Sequence, residues 1–224
     1  MSNVGFRQYN NIKRADRALV ELFRGIPTPN IDDNMNRMFS LRGLKPYNKA
    51  PLLGTAFTVR VPAGNNLMFN RAIDLAQPGD VIVVDGGGYM ERALCGEIMM
   101  TYAKKRGIAG FIVNGCIRDV EATAEMDFPV YALGQNPNGP MKNGPGEINT
   151  PVVCGGMVIM PGDILAGDAD GLVVIRPEDA AEVAQKAVKQ NEGEKKLLET
   201  IAEGKWDRSS FAVTLANLGC EIID

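Results

Sequence analysis

VIVVDGGGYMERALCGEIMMTYAKKRGIAGFIVNGCIRDVEA, residues 81–122, carries the pattern that decides the fold. Residues 81–84 are a short apolar β-branched run, Asp85-Gly86-Gly87-Gly88 reads as a loop, and 90–106 has helical length and spacing. Gly107 then leads to a second apolar strand at 110–113. Strand, helix, strand at this length is a βαβ unit, which implies a parallel pair joined by a right-handed crossover.

Working outward, apolar residues at helical spacing predict a helix over 12–24, stopped by Pro27 and Pro29, with a second helix after Asn30. Residues 54–62 alternate as a half-buried strand does, and 65–76 return to helical spacing before the turn Gln77-Pro78-Gly79-Asp80. Beyond Asp119 the pattern gives a short helix, a strand at 130–133, and a Gly/Pro/Asn-rich loop over 135–146 that reads as mobile or as a rim of the site. Strands at 152–154, 157–160 and 172–175 come next, separated by Gly155-Gly156 and Pro161-Gly162-Asp163, so the sheet is mixed and not doubly wound. A long helix over 177–204 closes the pattern, with Pro at its start, Gly at its end and a charged surface suited to the outside or to another subunit.

At 224 residues the chain has the length of one domain with a sizeable core. It divides into N-terminal helices over 1–50, a core over 51–176, and a C-terminal helix and tail over 177–224. A formal net charge of -3, with both signs interspersed, offers no footprint for a phosphate backbone, so no nucleic-acid partner is expected. Cys95, Cys116, Cys154 and Cys220 show no paired spacing and read as reduced, mostly buried residues. No apolar run opens the sequence and none approaches the roughly 18 residues of a membrane span, so a cytoplasmic, membrane-free protein is expected. The absence of histidine excludes Ser-His and Cys-His nucleophiles, His-ligated zinc and imidazole acid–base catalysis. Catalysis here has to use carboxylates, Arg, Lys, Tyr, Cys, backbone groups or a metal held by oxygen.

Asp85-Gly86-Gly87-Gly88 does not meet the requirements of a nucleotide loop. A Rossmann fingerprint needs G-x-G-x-x-G at the strand-to-helix turn and an acidic residue ending the second strand, whereas position 91 is Glu and the second strand ends in Asn114-Gly115. These glycines read instead as letting the backbone pass close to a small ligand or a neighbouring strand. Gly96-Glu97-Ile98-Met99 lies early in the helix and Arg118-Asp119 just past the next strand, with twenty residues between Glu97 and Arg118. The carboxyl ends of a parallel pair share one sheet edge, where α/β folds place their ligands. Arg118 offers a planar fork of donors for a carboxylate, and Asp119 a hard oxygen for Mg²⁺ or Mn²⁺. Spacing alone equally allows a surface ion pair in which Asp119 caps the next helix. Asp163, Asp168 and Asp170 lack the spacing and terminal Glu of a calcium loop and read as turn residues. No lysine falls in a predicted strand, and Lys104 and Lys105 sit at a helix end, which disfavours a Schiff base and points to a metal as electron sink.

The run over 81–122 resembles the RraA-like family, which includes the 4-hydroxy-4-methyl-2-oxoglutarate/4-carboxy-4-hydroxy-2-oxoadipate aldolases. The likeness extends more loosely over about 27–204, through Gly155-Gly156, Pro161-Gly162-Asp163 and Asp170-Gly171-Leu172-Val173-Val174. The resemblance implies an α/β fold, a three-layer β/β/α sandwich of the swivelling type, assembled as a homotrimer or homohexamer with sites between subunits. It implies that Asp119 binds a divalent cation, Mg²⁺ or Mn²⁺, that Arg118 holds a small 2-oxo acid, and that Gly96, Glu97, Ile98 and Met99 contact it. A glutamate on a neighbouring subunit's C-terminal helix, matching Glu194, would complete the catalytic set of Glu97, Arg118, Asp119 and Glu194. The implied reactions are retro-aldol cleavage of a 4-hydroxy-2-oxo acid to pyruvate and decarboxylation of oxaloacetate. The chain departs from the aldolases in having Glu97 where Asp is usual, and from the ribonuclease E inhibitors of the family in keeping Asp119. A non-catalytic protein-binding role, or a lyase or hydrolase acting on another oxo or hydroxy acid, are the alternatives.

Overall fold

The computed structural model describes residues 3–223. The chain runs β1 (Phe6–Gln8), α1 (Arg17–Glu21), α2 (Thr28–Asp33), β2 (Ser40–Leu41), β3 (Lys45–Pro46), β4 (Leu52–Arg60), α3 (Leu67–Leu75), β5 (Asp80–Cys95), α4 (Glu97–Lys105) and β6 (Gly110–Ile117). It continues through α5 (Val120–Glu125), β7 (Val130–Gln135), β8 (Gly146–Ile148), β9 (Val152–Cys154), β10 (Met157–Ile159), β11 (Ile164–Asp168), β12 (Gly171–Ile175), α6 (Ala180–Ala202) and α7 (Ser209–Asn217). The large sheet has the order β2-β12-β11-β4-β5-β6-β7-β3, and β8 joins β4 to β1. Its centre, β4-β5-β6-β7, is parallel, while β11, β12, β2 and β3 pair antiparallel. This is the mixed α/β arrangement that the sequence predicts.

Period-two alternation sorts the central strands onto two cores. Phe57, Ile82, Val84, Phe111, Val113 and Val130 face the layer of α3 and α4. Ala56, Val81, Val83, Ile112 and Tyr131 face the β9–β10 hairpin, which contributes Val152, Cys154 and Ile159. Both faces of these strands are covered, which is why they read as unbroken apolar runs and not as alternating ones. A third core sets Ile164, Ala166, Val173 and Ile175 against α1, α2 and the buried Ala180, Val183, Ala184 and Ala187 of α6. The layers are therefore hairpin, large sheet and helices. Among the described residues no helix is long and apolar enough to cross a membrane.

Several predicted elements change. The helix expected over 90–106 begins only at Glu97, because 90–95 continue β5 beside β6, pairing Ala93 with Cys116 and Cys95 with Ile117 across register shifts. Asp85-Gly86-Gly87-Gly88 lies inside that irregular strand, with Gly87 and Gly88 at positive φ. The N-terminal helix shrinks to Arg17–Glu21, capped by the Asp16 carboxylate accepting Ala18 N–H at 2.9 Å. The second starts at Thr28, with Pro29 in its first turn, where proline's missing N–H costs nothing. Asp163–Gly171 conceals a strand, Ile164–Asp168, beneath its turn residues. Asp163 itself is buried and accepts from Arg176 and from Met160 N–H.

Phe111 is fully buried, and Phe69 and Phe128 meet it edge-on at ring-centroid distances of 4.9 and 5.0 Å. Phe111→Ala is expected to lower stability by roughly 3–5 kcal/mol, read as a shift in the denaturant midpoint at unchanged slope. A shift equivalent to less than about 1 kcal/mol would show that this cluster is not a centre of the core.

Candidate active site

The carboxyl ends of β5 and β6 meet at one edge, tied by Arg118 N–H donating to Cys95 C=O at 3.0 Å. Two backbone features then bring Asp119 back against the start of α4. Asp119 adopts the left-handed conformation, φ 59°, a strain on the order of 1–2 kcal/mol for a residue with a Cβ. Its carbonyl accepts from Thr123 N–H at 3.0 Å and Thr123 Oγ1 at 2.9 Å, and Thr123 is fully buried, so the turn is held from below. Asp119 thus occupies the N-cap position of α5 but its side chain makes no cap bond there. Its Oδ2 instead accepts Glu97 N–H at 3.0 Å, satisfying the first donor of α4. Gly96 permits this approach, because a Cβ there would collide with Asp119 Oδ2 and stand 2.9 Å from Arg118 Cγ.

A cavity of about 160 Å³ opens here, lined by Asn66, Asn70, Cys95, Gly96, Ile98, Met99, Arg118, Asp119, Pro140 and Lys142. Arg118 Nε lies 3.7 Å from Asp119 Oδ2, with the side chains 43% and 39% exposed. Such a pair is solvent-screened and contributes little to stability, which leaves both groups free to engage a ligand. Asn66 is buried; its Nδ2 donates to Leu94 C=O at 2.9 Å, while its Oδ1 has no hydrogen-bond partner among the described residues.

Of the residues singled out from sequence, Gly96, Ile98, Met99, Arg118 and Asp119 share this wall. Glu97 is exposed at its margin, joined to it through its backbone bond to Asp119. The first turn of α4 offers fewer free donors than the sequence suggests: Met99 N–H is spent on Gly96 C=O at 3.1 Å, leaving Ile98 N–H. Glu194 does not line the cavity of its own chain. It sits on α6, where hydrogen bonds from Asn30 and Gln190 hold its carboxyl below the usual range. Sequence reading missed Asn66, Asn70, Pro140 and Lys142. The Asn65-Asn66 pair ahead of an apolar helix has only the signature of a cap, and the loop residues have no periodicity to place them.

The donor set admits a hard cation and disfavours a soft one. Among the described residues no three His, Cys, Asp or Glu side chains cluster, so this chain would offer a cation here one carboxylate, that of Asp119. Mg²⁺, which keeps several waters and takes few protein oxygens, fits such a site. Cys95 is no competing ligand: burial, and then the nearby Asp119 charge, push its thiol well above the usual range, so it stays protonated.

A profile of the RraA-like family, Aldolase/RraA, matches residues 28–174. The chain belongs to the RraA-like family. A Halalkalibacterium halodurans protein named "Putative 4-hydroxy-4-methyl-2-oxoglutarate aldolase" is 41% identical over 181 residues, 80% of this chain and 86% of that one. An uncharacterized protein of Methanocaldococcus jannaschii is 33% identical over 83% of this chain and 90% of its own. Among solved structures, Streptomyces coelicolor RraAS2, described as an unusual member of the RNase ES inhibitor RraA protein family, has TM-score 0.75 at 25% identity, covering 83% of this chain and 98% of its own. An uncharacterized Pseudomonas syringae protein shares the RraA fold with TM-score 0.78 at 24% identity, over 86% of this chain and 96% of its own.

In this RraA-like chain a Cβ at Gly96 would strike the carboxylate end of the part-exposed Asp119 side chain and press on Arg118 Cγ, so Gly96→Ala is expected to fold and to displace Asp119. Loss of one helix-terminal bond, about 1 kcal/mol, lowers the melting temperature by roughly 2–4 °C and speeds deuterium exchange at the Glu97 amide. Unchanged exchange at Glu97 would show that Asp119 does not hold that donor.

Proposed function

We propose that the protein is a divalent-metal-dependent carbon–carbon lyase. It cleaves a 4-hydroxy-2-oxo acid to pyruvate and a second oxo acid, and decarboxylates oxaloacetate through the same enolate. The observation carrying this reading is that the Arg118 guanidinium and the Asp119 carboxylate line one half-open cavity at the N-terminal end of α4. The names of the relatives support a lyase of this substrate class. Asp119 would hold Mg²⁺ or Mn²⁺, with Glu194 of a neighbouring copy completing the surroundings in a cytoplasmic homotrimer or homohexamer. When bound, the cation supplies Lewis-acid stabilisation of the charge that develops on the keto oxygen.

The chain's own groups account for the remaining needs of the reaction. Ile98 N–H, at the positive end of α4, suits the substrate's 2-oxo carboxylate. Arg118, with its fixed fork of donors, holds the keto oxygen and stabilises the oxyanion there. Glu97 takes the proton of the 4-hydroxyl, directly or through one water, as the C3–C4 bond breaks. The hydroxyl-bearing carbon leaves as a carbonyl, and the bond's electron pair passes into the pyruvyl fragment as an enolate. Return of the proton to C3 releases pyruvate, so atoms and charge balance. With oxaloacetate the same electron pair is released as CO₂ departs, and the same enolate is protonated.

Purified protein with Mg²⁺ or Mn²⁺ is expected to release pyruvate from 4-hydroxy-4-methyl-2-oxoglutarate and from oxaloacetate, and EDTA to abolish both. Loss of a preorganised oxyanion donor costs about 3–4 kcal/mol, so Arg118→Ala should lower turnover at least about a hundredfold with unfolding curves unchanged, and Asp119→Ala, which removes the proposed cation ligand, should do the same with the small drop in melting temperature that losing its bond to Glu97 N–H brings. Absence of metal-dependent pyruvate release from the parent protein would sink the lyase reading and favour a protein-binding scaffold.

A further inference from the structure

The loop over 135–146, rich in Gly, Pro and Asn, is not loose: it forms a fixed lip beside the cavity. Asn136 N–H donates to Ile117 C=O at 3.0 Å and Ala93 N–H to Asn138 C=O at 2.9 Å, while Met141 N–H donates to Gly64 C=O at 2.8 Å. One side chain spans both anchors. Arg92 Nη1 donates to Gly139 C=O at 2.8 Å and to Asn138 Oδ1 at 3.3 Å, and its stem lies against Gly64, where an added Cβ would stand 2.8 Å from Arg92 Cδ.

Arg118 is held differently. Among the described residues its guanidinium makes no hydrogen bond, and its 3.7 Å approach to Asp119 is too long and too exposed to fix a direction. Shape fixes it instead. A Cβ on Gly96 would stand 2.9 Å from Arg118 Cγ and 3.2 Å from Nε, and one on Gly139 would stand 3.4 Å from Nη1, so the side chain lies in a slot between two glycine backbones. The first wall belongs to the junction of β5 and α4. The second is the lip, and its place beside Nη1 is set by the bond from Arg92. We infer that Arg92, which does not line the cavity, is a positioning residue for Arg118: by holding Gly139 it closes the slot that aims the guanidinium fork. That this aim serves an enolate rests on the lyase reading; the slot itself does not. A fork aimed by shape keeps its donors for the ligand, where one aimed by hydrogen bonds would spend some of them.

A double-mutant cycle read in two assays tests this. Arg92→Met keeps a stem against Gly64 and removes the bond to Gly139. In the pyruvate-release assay it is expected to lower kcat about tenfold with KM changed less than about twofold, the mark of a group misplaced in the transition state. Arg92→Lys, which can still donate to Gly139 C=O, should recover part of the loss. In an Arg118→Ala background Arg92→Met should cost nothing further, because Arg92 acts through the side chain already removed. The second assay needs no turnover. Calorimetric binding in Mg²⁺ of oxalate, a planar dianion with the shape of a pyruvate enolate, should weaken by a similar factor in Arg92→Met alone and not at all when Arg92→Met is added to Arg118→Ala. An equal loss in both backgrounds, or no loss with Arg118 present, would overturn the inference, as would a parent protein that neither binds oxalate nor releases pyruvate. A parent protein that shows the cycle in oxalate binding but releases no pyruvate leaves the positioning by Arg92 standing and defeats the lyase reading instead.

Discussion

The site depends on one close approach, Gly96 backbone against the Asp119 carboxylate, where a single added carbon would not fit. It exists because β5 and β6 keep pairing through register shifts until Cys95 lies beside Ile117, and both chains then leave the sheet at the same edge. One enters α4 and the other turns through Asp119 into α5. The glycine removes the steric obstacle, and the first N–H of α4 supplies the attraction. A carboxylate placed there completes a helix start and faces a cavity at once.

That arrangement sets the electrostatics. A helix N-terminus, Arg118 and Lys142 surround a pocket whose lining, among the described residues, includes one acidic side chain, that of Asp119, with Glu97 at the margin, so the pocket favours anions. A carboxylate already tied to a backbone N–H has lone pairs left for a hard cation. The neighbouring thiol is kept neutral by burial, so oxygen is the only donor chemistry presented strongly. A small oxo acid brings two hard oxygens of its own, and such a pocket accommodates it together with a cation better than either alone.

How much of this was legible in the sequence depends on the range of the interactions. The parallel pair was legible, because residues 81–84 and 110–113 are apolar runs covered on both faces. The shared edge was legible too: once two strands are parallel, the segments leaving their carboxyl ends have to be neighbours, which brings Gly96 and Arg118-Asp119 together. The end of β5 was not. Residues 93–95 are buried one after another, a pattern a helix shares, and only pairing with Cys116 and Ile117 makes them strand. Ile164–Asp168 was hidden for the opposite reason, its apolar residues being outnumbered by flanking Asp and Gly. Asn66 and Lys142 were invisible because their positions come from hydrogen bonds between segments far apart in sequence, as in Met141 to Gly64.

The same distinction explains where strain and rigidity reside. Asp119 holds a left-handed backbone that only the surrounding bonds make tolerable: Thr123 anchors its carbonyl and Glu97 N–H its carboxylate. A site on unsupported loops would relax by rotating that residue back to an ordinary conformation, taking the carboxylate out of the cavity. Here the turn is flanked by β6, by α5 with its buried threonine, and by a lip stitched to Ala93 and Gly64. The groups that face the cavity are nonetheless only half covered. Rigid backbone beneath part-exposed side chains is what a binding site needs when the ligand supplies the remaining burial, because the ordering cost is met during folding and not at each binding event.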